Sequence, residues 1–139
     1  MPTYSTGMPI MVGDWVRVLS RFGVWHHGIV RQIRFTMSAV YVEIANNVKA
    51  GGITVSDWNQ FSEGREVVLC RRASSPAHVQ GIMARVNGSM GKPYHLFAQN
   101  CEHFASFAFY GKAESKSMQT LGLFAAGAVV VKILSSKSA

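Results

Sequence analysis

Residues 25–33 read WHHGIVRQI, a run rich in aromatic and β-branched side chains. Two further runs of this kind flank it, DWVRVL at 14–19 and AVYVEIA at 39–45. Short polar breaks separate the three runs, and such residue types between such breaks are typical of β-strands. Because consecutive strands with short connections favour antiparallel pairing, we predict an antiparallel sheet here.

The next part of the chain adds shorter elements. Residues 46–52 form a turn cluster, residues 53–55 are a short strand candidate, and EVVLC at 66–70 predicts a further strand. After Ser75-Pro76, a cap followed by a first-turn proline, apolar residues recur at helical spacing until about Asn87. The chain therefore changes from strands to helices near its middle.

Two more helices are predicted towards the end of the chain. Asn100 can cap a helix that stops at Gly111, which places Cys101 in its first turn. A third helix, residues 117–134, has no polar face through its middle. The predicted class is α+β, with an antiparallel sheet packed against a cysteine-bearing helix, followed by an apolar C-terminal helix.

Composition narrows the class of protein. The chain has 139 residues, 48% hydrophobic and 15% charged, which is too apolar for a disordered chain and suits one domain. The net charge of +7 favours anionic partners, but the basic residues are scattered and no nucleic-acid module is present, so we predict no nucleic-acid partner. Two cysteines exclude a disulfide framework, and the N-terminal MPTY is no secretory signal, so an intracellular setting is expected.

Cys101 is the first candidate for chemistry. At a helix N-terminus the free amide groups and the helix dipole stabilise a thiolate, which is a nucleophile. The same amides can donate to the oxyanion that forms when sulfur attacks an acyl carbon. The alternative is a small buried apolar side chain, which is the usual role of a free cysteine.

A base for Cys101 can come from His26 or His27. Neighbouring residues of a strand point to opposite faces, so only one of the two can face a helix packed on the sheet. Gly28 would let a helix or a substrate approach the backbone closely. Glu43 can orient the imidazole if its face of the sheet is covered, or it can simply face water.

Metal binding is the weaker interpretation of the remaining histidines. His95, Cys101 and His103 lack the paired spacing of known zinc motifs. We therefore predict no metal and no cofactor, and we expect His103 to hold the helix to the sheet.

Several motifs resemble those of the lecithin retinol acyltransferase-like proteins, a family that includes small phospholipase/acyltransferase enzymes. The motifs are NCEHF at 100–104, YG at 110–111, GD at 13–14, HHGIV at 26–30 and GKPY at 91–94. The resemblance implies a circularly permuted relative of the papain-like NlpC/P60 fold. It also implies that Cys101 is the nucleophile and His26 the catalytic histidine.

The resemblance also suggests supporting residues. Gln99, Asn100 and His103 adjoin the cysteine and are candidates to stabilise the oxyanion or to support the site. The family commonly has a second histidine on the next strand, within an apolar triplet. The nearest counterpart here is Val42-Glu43-Ile44, so Glu43 is predicted to complete a triad, with His27 as the alternative.

The implied function is a cysteine-dependent lipid acyltransferase or phospholipase that works through an acyl-thioester. Its expected partner is a phospholipid or another acyl-ester lipid. Residues 1–12 are predicted to be an irregular arm, residues 13–112 the catalytic domain, and residues 117–134 a candidate membrane anchor. Residues 118–134 are marginal as a membrane span, and lying on a membrane or packing in a groove are equally compatible with them. Two alternatives are a catalytically silent interaction module, as in viral relatives, and an NlpC/P60-type peptidase or amidase.

Overall fold

The computed structural model describes residues 2–93 and 101–111. Its strands are β1 (Trp15–Leu19), β2 (Trp25–Phe35), β3 (Val40–Val48), β4 (Gly52–Asp57) and β5 (Val67–Arg71). Its helices are α1 (Trp58–Ser62), α2 (Pro76–Ser89) and α3 (Cys101–Tyr110). The strands form one sheet in the order β4-β3-β2-β1-β5, and each neighbouring pair is antiparallel. The predicted α+β class, with an antiparallel sheet and a cysteine-bearing helix, is confirmed.

The main differences from the predicted elements lie between residues 46 and 62. Strand β3 continues to Val48, so Asn46 and Asn47 lie inside a strand and are buried, where a turn was predicted. Helix α1 was not predicted. It begins with a capping box, because the Asp57 carboxylate accepts the Gln60 N–H at 2.7 Å and the Gln60 side chain accepts the Asp57 N–H at 2.9 Å.

Helices α2 and α3 begin where the sequence predicted. Ser75 caps α2, since its hydroxyl accepts the backbone N–H of His78 at 3.1 Å, and Pro76 follows in the first turn. Helix α3 begins at Cys101 and ends where the N–H of Gly111 bonds to the Phe107 carbonyl at 2.8 Å. The proposed cap Asn100 and the predicted helix over 117–134 lie outside the described residues.

The sheet is covered on both faces, and each face has its own apolar core. Helices α2 and α3 cover one face, whose core residues are Trp15, Ile29, Ala45, Ile53, Ile82, Val86, Phe104, Ala105, Ala108 and Phe109. Helix α1 and the N-terminal arm cover the other face, whose core residues are Tyr4, Ile10, Val16, Val18, Val30, Val42, Ile44, Phe61 and Val67. Residues of β2 and β3 therefore alternate between two different environments.

The N-terminal arm is tied to the sheet through a buried carboxylate. Asp14 accepts the Tyr4 hydroxyl at 2.6 Å and the Arg72 guanidinium at 2.8 and 3.0 Å. This side chain is fully buried, so it needs both partners. The hydrogen bond from Arg72 to Asp14 raises the pKa of Arg72. The pKa of Tyr4 is also raised, mainly by burial and then by its hydrogen bond to Asp14.

Candidate active site

Cys101 lies against the backbone of β2 at the position of His26. Its sulfur accepts the His27 backbone N–H at 3.3 Å, and its thiol donates to the Trp25 carbonyl at 3.6 Å. These two peptide groups lie immediately before and after His26. The His27 N–H is available because the described ladder between β2 and β3 starts one residue later, at Gly28 opposite Asn46. The start of α3 is thereby brought to the histidine pair.

His27 has a structural role on the helix-covered face. It is buried, and its Nδ1 accepts the indole N–H of Trp15 at 2.9 Å. Burial, followed by the charges of Arg17 and His26, lowers the pKa of His27 to about 4. The ring is therefore neutral at pH 7, with its proton on Nε2, and its Nδ1 is already engaged. His27 is poorly placed to serve as the base.

His26 points to the opposite face and remains partly exposed. Its ring packs against Phe61 of α1, with ring centroids 5.1 Å apart. Burial lowers its pKa below 6.5, while the neighbouring Asn46 side chain, as an acceptor, and the charge of Glu63 act in the opposite direction. His26 is therefore mainly neutral at pH 7, which is the form that can accept a proton.

Asn46 pairs with Gly28, so its side chain lies on the same face of the sheet as His26 and diagonally across from it. Its amide nitrogen donates to the Ile44 carbonyl at 3.2 Å and to the Ser56 hydroxyl at 3.0 Å. Its Oδ1 is buried and closes no hydrogen bond of ordinary geometry within residues 2–93 and 101–111. This acceptor is the part of Asn46 that raises the pKa of His26, against the larger effect of burial.

Glu43 lies elsewhere in the sheet. It pairs with Gln32, six residues along β2 from His26, which is about 20 Å at the rise of a strand. Its carboxylate contacts Arg31 at 3.6 Å and Arg34 at 3.4 Å. The structure thus brings Asn46 to His26, and it does not bring Glu43 there.

Position 28 has room only for a glycine, because side chains of β3 and α1 approach its backbone closely. A Cβ at this position would lie 2.5 Å from the Ile44 side chain and 2.9 Å from the Phe61 ring. Close approach of a helix or a substrate was predicted for this glycine, and the structure shows α1 there together with Ile44 of β3. Since Phe61 also packs on His26, the absence of a side chain at Gly28 helps to determine where the imidazole lies.

The surroundings of the Cys101 sulfur favour a thiol at rest. Burial raises the pKa of Cys101, and the Glu102 carboxylate adds to this effect. The backbone amides of His27, Cys101 and Glu102 lower it, as the helix-start argument predicted, but burial outweighs them. The resting group is a thiol surrounded by amides that stabilise the thiolate once a proton is removed.

Of the other predicted positions, only His103 lies within the described residues. The His103 carbonyl accepts the Ser106 hydroxyl at 3.4 Å within α3. Gln99, Asn100 and His95 lie outside the described residues, as does the apolar segment 118–134. Residues 2–93 and 101–111 contain no cluster of three metal-ligating side chains. Within those same ranges no helix combines the length and apolarity that a membrane crossing needs.

Sequence reasoning missed Asn46 and Phe61. A signal for Asn46 was present, because it continues the alternation of Val42 and Ile44 on one face of β3. Phe61 carried no comparable signal, because α1 was not predicted.

Comparison with known proteins identifies the family. No curated protein matches the chain significantly. The family model described as lecithin retinol acyltransferase matches residues 9–114, a range that holds His26, Asn46, Cys101 and every helix and strand described above. With most of its length matched, this chain belongs to the lecithin retinol acyltransferase family.

Proposed function

We propose that this protein is a cysteine-dependent lipid acyltransferase or phospholipase, with Cys101 as nucleophile and His26 as base. Membership of the family suggests an acyltransferase or phospholipase-like function and a lipid substrate. The observation that carries the proposal is the contact of the Cys101 sulfur with the two peptide groups that flank His26.

The first half-reaction transfers the acyl group to sulfur. A ring nitrogen of His26 takes the thiol proton as Sγ attacks the ester carbonyl, and a C–S bond forms. The backbone N–H of Cys101 and the predicted contribution of Gln99 stabilise the oxyanion, a type of interaction worth about 10² to 10³ in rate. The C–O bond then breaks, and His26 returns the proton to the departing alkoxide, which leaves as a lysolipid.

The second half-reaction regenerates the thiol. Water or an amine attacks the acyl-thioester while His26 takes its proton, and the C–S bond breaks. The products are a fatty acid or an amide, and the proton returns to sulfur. Since the resting group is a thiol, proton transfer accompanies the attack instead of preceding it.

Asn46 takes the positioning role that the sequence suggested for Glu43. An amide oxygen that accepts a ring N–H holds the imidazole in one orientation and one tautomer. Unlike a carboxylate, the neutral amide leaves the pKa of His26 below its usual value, where burial sets it. The base is then available at neutral and mildly acidic pH.

Intact-protein mass spectrometry after incubation with phosphatidylcholine vesicles and an acid quench tests this proposal. The wild-type protein should gain the mass of one acyl chain and release lysophospholipid. Cys70→Ser is the matched control and should behave in the same way, because Cys70 lies on β5 and has no role in the mechanism. Cys101→Ser should show neither product.

The alternatives give different results in the same experiment. An unmodified wild-type protein that releases no lysophospholipid would contradict the proposal and favour a catalytically silent module. Cleavage of peptide amides in preference to lipid esters would favour a peptidase or amidase of the NlpC/P60 type.

A further inference from the structure

An exposed apolar and basic patch lies at the end of β2 nearest to Cys101. It combines four exposed apolar side chains with two arginines that lie over aromatic rings of the same patch. We call it the β1–β2 patch; its members are Leu19, Phe22, Val24, Trp25, Arg17 and Arg21. Phe22 is 78% exposed and Val24 is 64% exposed, which is costly in water for apolar side chains of this size.

An ordered turn presents these side chains to solvent. The Ser20 hydroxyl accepts the backbone N–H groups of Phe22 and Val24, each at 3.2 Å. The Ser20 N–H bonds to the Val24 carbonyl at 2.9 Å, and Gly23 has a φ of +79°, which a glycine adopts without strain. The turn is closed by its own hydrogen bonds, so the apolar groups are held outward.

The patch adjoins the proposed nucleophile. The carbonyl of Trp25, a member of the patch, is the acceptor for the Cys101 thiol at 3.6 Å. The opposite end of β2 also carries exposed apolar residues, Phe35 at 61% and Met37, but it lies about 30 Å along the strand. The nearby arginines there are paired with Glu43.

The two ends of β2 also differ in the ion pairing of their arginines. Within the described ranges, neither Arg17 nor Arg21 forms an ion pair with a carboxylate. Each is stacked on an aromatic ring, with Cζ 4.0 Å from the Trp25 ring centroid and 5.0 Å from that of Phe22. Aromatic side chains favour the headgroup layer of a bilayer, and guanidinium groups bind lipid phosphates. A patch that combines both therefore suits the surface of an anionic bilayer.

We infer that the β1–β2 patch docks this protein on the surface of an anionic phospholipid bilayer and presents Cys101 to ester groups at that surface. The inference rests on the proposed function, because it takes the ester of a membrane lipid as the substrate. Phe22 and Trp25 enter the headgroup layer, while Arg17 and Arg21 contact lipid phosphates. This contact is separate from any contribution of residues 118–134.

Tryptophan quenching tests the docking without catalysis. The full chain carrying Cys101→Ser is mixed with brominated phosphatidylcholine and phosphatidylserine vesicles, and the fluorescence lost to bromine is measured. Most of the quenching should disappear in Trp25→Phe and persist in Trp58→Phe, whose tryptophan lies on α1. Quenching that survives Trp25→Phe, or its absence from the parent protein, would overturn the inference.

A second measurement uses turnover. Phe22→Ser should lower turnover of vesicle phospholipid about tenfold, the effect of losing one buried aromatic side chain, and leave turnover of a water-soluble short-chain ester unchanged. Phe35→Ser is the control for an equally apolar change at the distant end. Equal vesicle turnover by both variants would contradict the inference. Failure to cleave either ester would refute the proposed chemistry alone, since the quenching result still decides the docking surface.

Discussion

Acidification should destabilise the fold through His27. Burial lowers the pKa of His27 from 6.5 to about 4, so the unfolded chain binds a proton at a pH where the folded protein does not. Protonation therefore favours unfolding, and stability is lost as the pH falls from 6.5 towards 4. From pH 7 to pH 5, His27 alone should reduce the free energy of unfolding by about 2 kcal/mol.

Urea unfolding of the wild type and of His27→Asn over this pH range measures the effect. The asparagine oxygen can accept the Trp15 N–H in place of Nδ1, and it does not titrate. Other titrating groups, including His26, are common to both proteins, so the difference between the two pH profiles isolates His27. The variant should lose about 2 kcal/mol less than the wild type between pH 7 and pH 5. Parallel profiles would show that burial does not hold His27 neutral.

Further substitutions test the contacts of Gly28, Asn46 and Tyr4. Gly28→Ala should reduce the free energy of unfolding in urea by about 1–3 kcal/mol, because the new Cβ would lie 2.5 Å from the nearest side-chain atom; unchanged stability would contradict this contact. Asn46→Asp should move the acid limb of the rate profile up by about one pH unit, because a carboxylate raises the pKa of His26. Asn46→Leu should move that limb down, and unshifted profiles would refute the positioning role. Tyr4→Phe should lower the free energy of unfolding, measured in urea, by about 2 kcal/mol, because the hydrogen bond to Asp14 is lost. An effect near zero would show that the N-terminal arm contributes little to stability.

The strands and helices were largely predictable because their signals are local. Aromatic and β-branched runs gave the sheet, and the cap at Ser75 and the stop at Gly111 gave the helix limits. The same reasoning placed Asn46 in a turn, because asparagine pairs usually occupy turns. In the folded chain Ile44 and Ser56 accept hydrogen bonds from the Asn46 amide nitrogen, and this compensation is visible only after the sheet has formed.

The position of the third polar residue depended on register, which alternation does not supply. Alternation assigns Glu43 and Asn46 to opposite faces of β3, but it does not say which residue of β2 each one meets. A register shift between Val30 and Gln32 changes that pairing along the ladder. The motif therefore predicts Glu43 from its neighbours in sequence, whereas the register of β2 and β3 places Asn46 near His26.

Burial likewise altered the expectation for Cys101. The helix-start amides act on its sulfur as predicted, but the cost of a buried anion depends on how closely α3 packs on β2. A sequence shows which residue begins a helix, and it does not show how much solvent remains around that residue. The resting thiol is thus a consequence of tertiary packing.

The two adjacent histidines of β2 lie in different surroundings on opposite faces of the sheet. Because β2 is covered on both faces, His27 enters the core beneath α3, where Trp15 occupies its acceptor nitrogen. His26 lies on the opposite side, where it packs against the Phe61 ring and lies diagonally across from Asn46 while part of it stays in contact with solvent. Cys101 contacts the strand through the two peptide groups on either side of His26, and in the proposed mechanism the His26 ring moves the proton. The sequence left open which histidine lies beneath the cysteine-bearing helix, and the elements that cover each face of the sheet give that place to His27.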